Sequence, residues 1–176
     1  MKLHLFARIL MGLVVTLGTA TSINQPSLAQ NTTFFCRRSN GVPVTFARTS
    51  RGNVPIIRWV SNSYFPPPWT PQRRCEEVAR RFQRNRNNGT LRFITTGTLR
   101  GEPVVCAASS RGDGCTSSTL LFTLKRGSNP NATLRRLLDR QGLAAGNVLN
   151  ESGGDDSMYV DVDGYLDAVP LEESGI

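Results

Sequence analysis

Apolar positions along the chain recur with two different spacings, and the change of spacing divides it into elements. Thr33-Phe34-Phe35-Cys36 is apolar and rich in strand formers. Val42 to Ala47 carries Val44 and Phe46 on one face, and Val54 to Val60 holds Ile56, Ile57, Trp59 and Val60. Pro43 and Pro55 stand near the starts of these two runs, where a missing amide donor is tolerated. The polar stretch from Arg48 to Asn53 between them predicts a turn. Three further runs predict strands at Leu91–Thr96, Pro103–Ala108 and Thr119–Leu124, and Leu99-Arg100-Gly101 between the first two suggests a hairpin. Met158 to Val162 predicts a short final strand.

Between the strand groups the spacing becomes helical. Thr70 is placed to cap a helix with Pro71 at its first position. Cys75, Val78, Ala79 and Phe82 then fall at i, i+3, i+4 and i+7 and form one apolar stripe, and Asn87-Asn88-Gly89 ends the helix. Six arginines crowd the same stretch, so Cys75 belongs to the buried stripe and the arginines to the rest of the cylinder. Glu76 precedes Arg80, and Glu77 precedes Arg81, by four residues, the favourable order for ion pairs. A second helix is predicted from Pro130, capped by Asn129, with Leu134, Leu137 and Leu138 inward and Gly142 as its stop. The order β-β-β-α-β-β-β-α-β predicts an α+β fold, with a largely antiparallel sheet of about six or seven strands, two helices and two disulfides.

The first 29 residues read differently. Lys2 and Arg8 precede the apolar run Ile9–Leu17, and Ser27-Leu28-Ala29 supplies a small-x-small cleavage site, the order of a secretory signal peptide. The run is about half the ~20 residues that a membrane span needs. The chain therefore divides into a signal peptide at 1–29, a single α+β domain at 30–150, and an acidic C-terminal segment at 151–176 that contains the strand near 158–162. Export predicts that the protein works in a periplasm, a thylakoid lumen or the extracellular space, peripheral on a membrane. In such an oxidising compartment Cys36, Cys75, Cys106 and Cys115 read as two disulfides. Three pairings are open. The favoured set is Cys106–Cys115, clamping a short loop, with Cys36–Cys75 joining an early strand to the arginine-rich helix. A four-cysteine zinc site would show close Cys-x-x-Cys pairs, and none occurs.

Charge sharpens the picture. Residues 30–150 carry 19 Lys and Arg against 5 Asp and Glu, whereas residues 151–176 carry 8 acidic residues and no Lys or Arg. A basic body suggests an anionic partner. Export argues against nucleic acid and leaves an anionic membrane surface, an acidic polysaccharide or an acidic protein. Arg73, Arg74, Arg80, Arg81, Arg84 and Arg86 are the candidate anion-binding residues. The competing expectation is that these charges are solvated, or that the acidic tail folds over the basic helix.

Catalytic chemistry is narrowed by what the composition lacks. The one histidine, His4, lies in the signal segment, so the exported chain has no Ser-His-Asp or Cys-His arrangement and no histidine metal site. No phosphate-cradling glycine loop occurs. No catalytic residue, metal or small-molecule cofactor is expected, and a carboxylate-dependent hydrolase of an extracellular polymer is the alternative. Smaller motifs remain. Arg111-Gly112-Asp113 between Cys106 and Cys115 could be shown at a loop tip, or make an ordinary turn; the same stapled loop could serve an inhibitor. Asp161-Val162-Asp163-Gly164 resembles the opening of a calcium loop with Glu172 at its twelfth position, but its middle is poor in ligands. Asn31, Asn88, Asn131 and Asn150 head N-glycosylation patterns. Phe65-Pro66-Pro67-Pro68-Trp69 reads as a stiff connector whose aromatics either form an exposed platform or pack on the domain edge.

Six stretches carry a resemblance to a known family. They are FFC at 34–36, RGNVPIIRWVS at 51–61, TPQRRCEEV at 70–78, NGTL at 88–91, PVVCAAS at 103–109 and LLFTLKRGSNPNATL at 120–134. In order, spacing and cysteine placement they resemble the cyanobacterial circadian-oscillating-polypeptide family of exported proteins. The resemblance implies a cyanobacterial source, export and peripheral membrane association. It supplies no activity and no catalytic residues, and gives no role to FPPPW or to the acidic tail. Residues and resemblance together predict an exported, disulfide-stabilised binding or structural module that is not an enzyme.

Overall fold

A computed structural model describes residues 32–61, 65–139 and 158–172. The signal segment, the predicted stop at Gly142 and the patterns at Asn31 and Asn150 lie outside the described residues. The first three strands, β1 (Thr33–Ser39), β2 (Val42–Thr49) and β3 (Gly52–Arg58), form an antiparallel meander. Helix α1 (Pro71–Asn87) follows. Strands β4 (Phe93–Leu99), β5 (Glu102–Ala108) and β6 (Leu120–Thr123) form a second meander. Helix α2 (Pro130–Asp139), strand β7 (Tyr159–Asp161) and helix α3 (Val162–Ala168) complete the chain.

The fold is α+β, with every strand pair antiparallel. It departs from the expected single sheet in two ways. The strands divide into a sheet of order β1-β2-β3 and a sheet of order β6-β5-β4-β7, because α1 interrupts the pairing between the meanders. A third helix, α3, occupies the end of the segment expected to carry only a strand. Asp161 caps it, accepting from the Gly164 amide at 2.8 Å, and Val162, Tyr165 and Leu166 form its buried face. Strand β7 pairs with β4, so residues 158–172 supply an outer strand and a helix to the same core.

Local chemistry explains the turns. Asn40 and Gly41 both take positive φ between β1 and β2, the two-residue turn that matches strand twist and that Asn-Gly satisfies at least cost. Arg100-Gly101 repeats this geometry between β4 and β5, with an arginine in the left-handed region. Helix α1 begins as its sequence dictates: the Thr70 hydroxyl accepts from the Arg73 amide at 3.2 Å, and Pro71 opens the first turn. For α2, the Ala132 amide donates to Asn129 Oδ1 at 2.9 Å.

One buried cluster joins both sheets and all three helices. Helix α1 packs on β1 and β2 and reaches β6, and its stripe of Cys75, Val78, Ala79 and Phe82 is buried as predicted, with Asn85 extending it. Asn85 donates to the Arg81 carbonyl at 2.8 Å and accepts from the Thr90 hydroxyl at 2.8 Å, which turns the chain toward β4. Both disulfides are formed in the favoured pairing, Cys36–Cys75 and Cys106–Cys115. The first joins β1 to α1 in the core. The second approaches Gly97 so closely that an added Cβ would stand 3.0 Å from Cys115 Sγ, a contact that only glycine avoids.

The bridges span 39 and 9 residues respectively. In the chain-entropy account these loops are worth about 4 and about 2.6 kcal/mol. Replacing Cys36 and Cys75 together by serine is therefore expected to lower stability more than replacing Cys106 and Cys115, by at least about 1 kcal/mol. Urea midpoints of the two double variants check the order.

Candidate functional site

The six arginines of α1 do not make one patch. At about 3.6 residues per turn, Arg73, Arg80 and Arg84 return to a single line on the outer surface, and all three are exposed. Arg74 and Arg81 lie on one flank and are partly buried. Arg86 falls on the inward side at the helix end. Its side chain is 14% exposed and its guanidinium meets Asp163 of α3 at 2.8 Å. Each position follows from where the apolar stripe lies: once that face is buried, every other residue's bearing is set.

Of the two expected ion pairs, Glu77–Arg81 forms and Glu76–Arg80 does not. Glu77 holds Arg81 at 2.8 Å and also binds Arg80, leaving Glu76 to accept from Gln72 Nε2 at 2.8 Å. Arg80 can reach Glu77 because i, i+3 residues are neighbours on a helix surface just as i, i+4 residues are. Burial raises the Glu77 pKa, but the hydrogen bonds and charges of Arg81 and Arg80 outweigh it, so the net shift is downward.

The flank that carries Arg74 and Arg81 forms one wall of a pocket of about 250 Å³. Trp59 from the end of β3, Phe65 and Trp69 from the proline-rich connector, and Leu120, Phe122 and Thr123 from β6 supply the rest, with Glu77 and Val78. Trp59 is fixed from two sides. Its indole N–H donates to Thr45 Oγ1 at 2.9 Å, and its ring stands edge-on to Phe122 at 5.9 Å. The Arg74 guanidinium sits 5.3 Å from the ring centres of both Trp59 and Phe65 and donates to the Ser61 carbonyl. Its burial lowers its pKa from the ordinary arginine value. Arg81 donates to the Leu121 carbonyl at 3.3 Å as well as to Glu77. Trp69 stays 39% exposed, with Arg73 at 5.6 Å from its ring centre, and nearby in sequence Val60 is 74% exposed.

Of the connector's two readings, packing on the domain edge describes Phe65, while Trp69 stays partly exposed, and both wall the pocket. Phe65 and Trp69 on one hand, and the arginines on the other, were singled out in sequence for separate reasons, and their meeting was not. The wall from β6 was not, because it is brought in from some fifty residues further along the chain.

The remaining motifs are occupied structurally. The Asp113 carboxylate accepts from the Ser109 and Ser110 amides at 3.0 and 2.8 Å, and Tyr159 donates to the Asp113 carbonyl at 3.0 Å. The Ser109 hydroxyl and the Ser110 amide hold its pKa below the usual aspartate range. Arg111 lies over Phe93 at 5.2 Å, so this tripeptide is bound down as a turn. The calcium-like segment is an N-cap followed by α3, and its Glu172 is engaged elsewhere, by Arg37 at 2.6 Å and by Ser39. The last described residues run along sheet one: the Glu172 amide donates to the Asn53 carbonyl at 3.0 Å, and Arg58 stands 3.8 Å from its carboxylate. The acidic segment therefore meets the basic body at Arg86, Arg37 and Arg58. Among the described residues no helix is long and apolar enough to cross a membrane.

Residues 33–167 match the family described as circadian oscillating protein COP23. No curated protein and no solved structure matches the chain.

Because its pKa is lowered on folding, Glu77 stabilises the fold fully above the ordinary glutamate value of about 4.3 and loses that contribution as pH falls through the folded value. Glu77→Gln is expected to cost no more than about 1 kcal/mol at pH 7, since its arginine partners are partly solvated. Urea midpoints of variant and parent should differ at pH 7 and converge well below about pH 4.

Proposed function

The chain belongs to the circadian oscillating protein COP23 family, and we propose that it acts as an exported, non-enzymatic binding module that attaches peripherally to an anionic membrane surface through the outer line of α1. The observation that carries this reading is the alignment of Arg73, Arg80 and Arg84 on an exposed helix face, with Trp69 exposed at its head. Guanidinium groups suit phosphate oxygens, and a tryptophan suits the water–lipid boundary. Cys36–Cys75 and Cys106–Cys115 fit the oxidising compartment that export provides.

A hydrolase acting through carboxylates has less support. The carboxylate at the pocket, Glu77, is tied to two arginines, and among the described residues no second carboxylate lines that pocket to share proton transfer with it. Asp113, Asp161, Asp163 and Glu172 hold turns, caps and ion pairs.

Vesicle flotation tests the attachment. The oxidised protein is expected to float with phosphatidylglycerol vesicles and not with phosphatidylcholine, and to release as salt rises. With each surface arginine worth about 1 kcal/mol, changing Arg73, Arg80 and Arg84 together to glutamine should weaken binding about a hundredfold. Association that survives both the triple change and high salt would overturn the proposal.

A further inference from the structure

We propose that the pocket between the 65–69 connector, α1 and β6 binds a small molecule that joins a flat apolar ring system to a single carboxylate. The walls set the ring. Trp59, Phe65, Trp69 and Phe122 present aromatic surface around one space, with Leu120 and Val78 between them. Planar ligands stack on or meet the edges of such rings. The volume, about 250 Å³, lies just under the ~300–1,000 Å³ of drug-sized sites, which suits one or two fused rings. Trp59 is held by Thr45 and Phe122, so this wall is formed in advance of any ligand.

The charges set the headgroup. Arg74 and Arg81 face one carboxylate, Glu77, leaving one positive charge in excess at the pocket wall. Arg81 is already committed to Glu77 and to the Leu121 carbonyl. Arg74 is less fully satisfied: Nη2 donates to the Ser61 carbonyl, but Nε is buried and finds no acceptor among the described residues. A partly desolvated guanidinium between two rings gains more from an incoming anion than a solvated one does, because the local dielectric is lower. A ligand with two negative charges would exceed the available positive charge, and a cation would face Arg74 directly. This site uses Arg74, whereas surface attachment uses Arg73, Arg80 and Arg84, so the two proposals can fail separately.

The chain contains two tryptophans, Trp59 and Trp69, and both line this pocket, so intrinsic emission reports directly on its occupancy. Titration of the oxidised protein with 2-naphthoate should give saturable quenching. Its uncharged analogue, 2-naphthylmethanol, should bind at least tenfold more weakly. Arg74→Gln should abolish that preference, and Trp69→Ala should weaken binding of both ligands. Arg136→Gln, on the exposed face of α2, should behave as the parent, and far-UV circular dichroism and a thiol assay confirm that each variant is folded and oxidised. The proposal is overturned by an absence of saturable quenching, by equal affinity for acid and alcohol, or by a preference that survives Arg74→Gln. Tighter binding of decanoate than of naphthoate would overturn the ring assignment. Emission that depends on protein concentration and ignores naphthoate would give the pocket to a second copy of the chain instead.

Discussion

Burial of one face of α1 is the constraint on which the rest of the molecule depends. The stripe from Cys75 to Phe82 packs against β1 and β2, and the Cys36–Cys75 bridge fixes the helix there covalently. A rod held along one face has no rotational freedom left. Each arginine of the helix is therefore assigned its surroundings by its distance from that stripe: the exposed outer surface for Arg73, Arg80 and Arg84, an aromatic flank for Arg74 and Arg81, and an ion pair with α3 for Arg86. A dense run of like charge is in this way divided among three different environments.

The same division governs the acidic end of the chain. Its residues do not blanket the helix as one cloud. Asp163 takes Arg86, and Glu172 takes Arg37 with Arg58 nearby, each through a specific contact that also docks α3 and the residues after it. The outer line of α1 receives none of these contacts. Neutralisation by the acidic segment thus acts at the seams of the fold, while on the outer line of α1 Arg80 pairs with Glu77 of its own helix.

Much of this was legible in the sequence because it rests on local rules. The stripe of α1, the Thr70 and Asn129 caps, the Arg48–Asn53 and Arg100-Gly101 turns and the strand runs all follow from spacing and turn chemistry within a few residues. What was not legible depends on long-range placement. Nothing in the spacing of the strands says that they divide into two sheets, since that depends on how α1 inserts between the meanders. Helix α3 was hidden because seven residues are too few to show a period, and its cap, Asp161, also fits other motifs. At the pocket, the connector aromatics and the arginines were each visible, but their meeting was not, and Leu120 and Phe122 arrive through the pairing of β6 with β5, which no local rule brings beside Trp59. Arg86 was one of six candidate anion-binding residues, and that Asp163, 77 residues further on, would be its partner is set by long-range placement and by no local rule.

Strand β7 has one more consequence. Each of the first two meanders pairs strands that are neighbours along the chain, and so each can assemble from a short length of it. The free side of β4 cannot: Phe93, Ile94 and Thr95 wait for Asp161, Val160 and Tyr159. During synthesis that strand therefore presents an open row of amides and carbonyls until residues 159–161 have emerged and shield it.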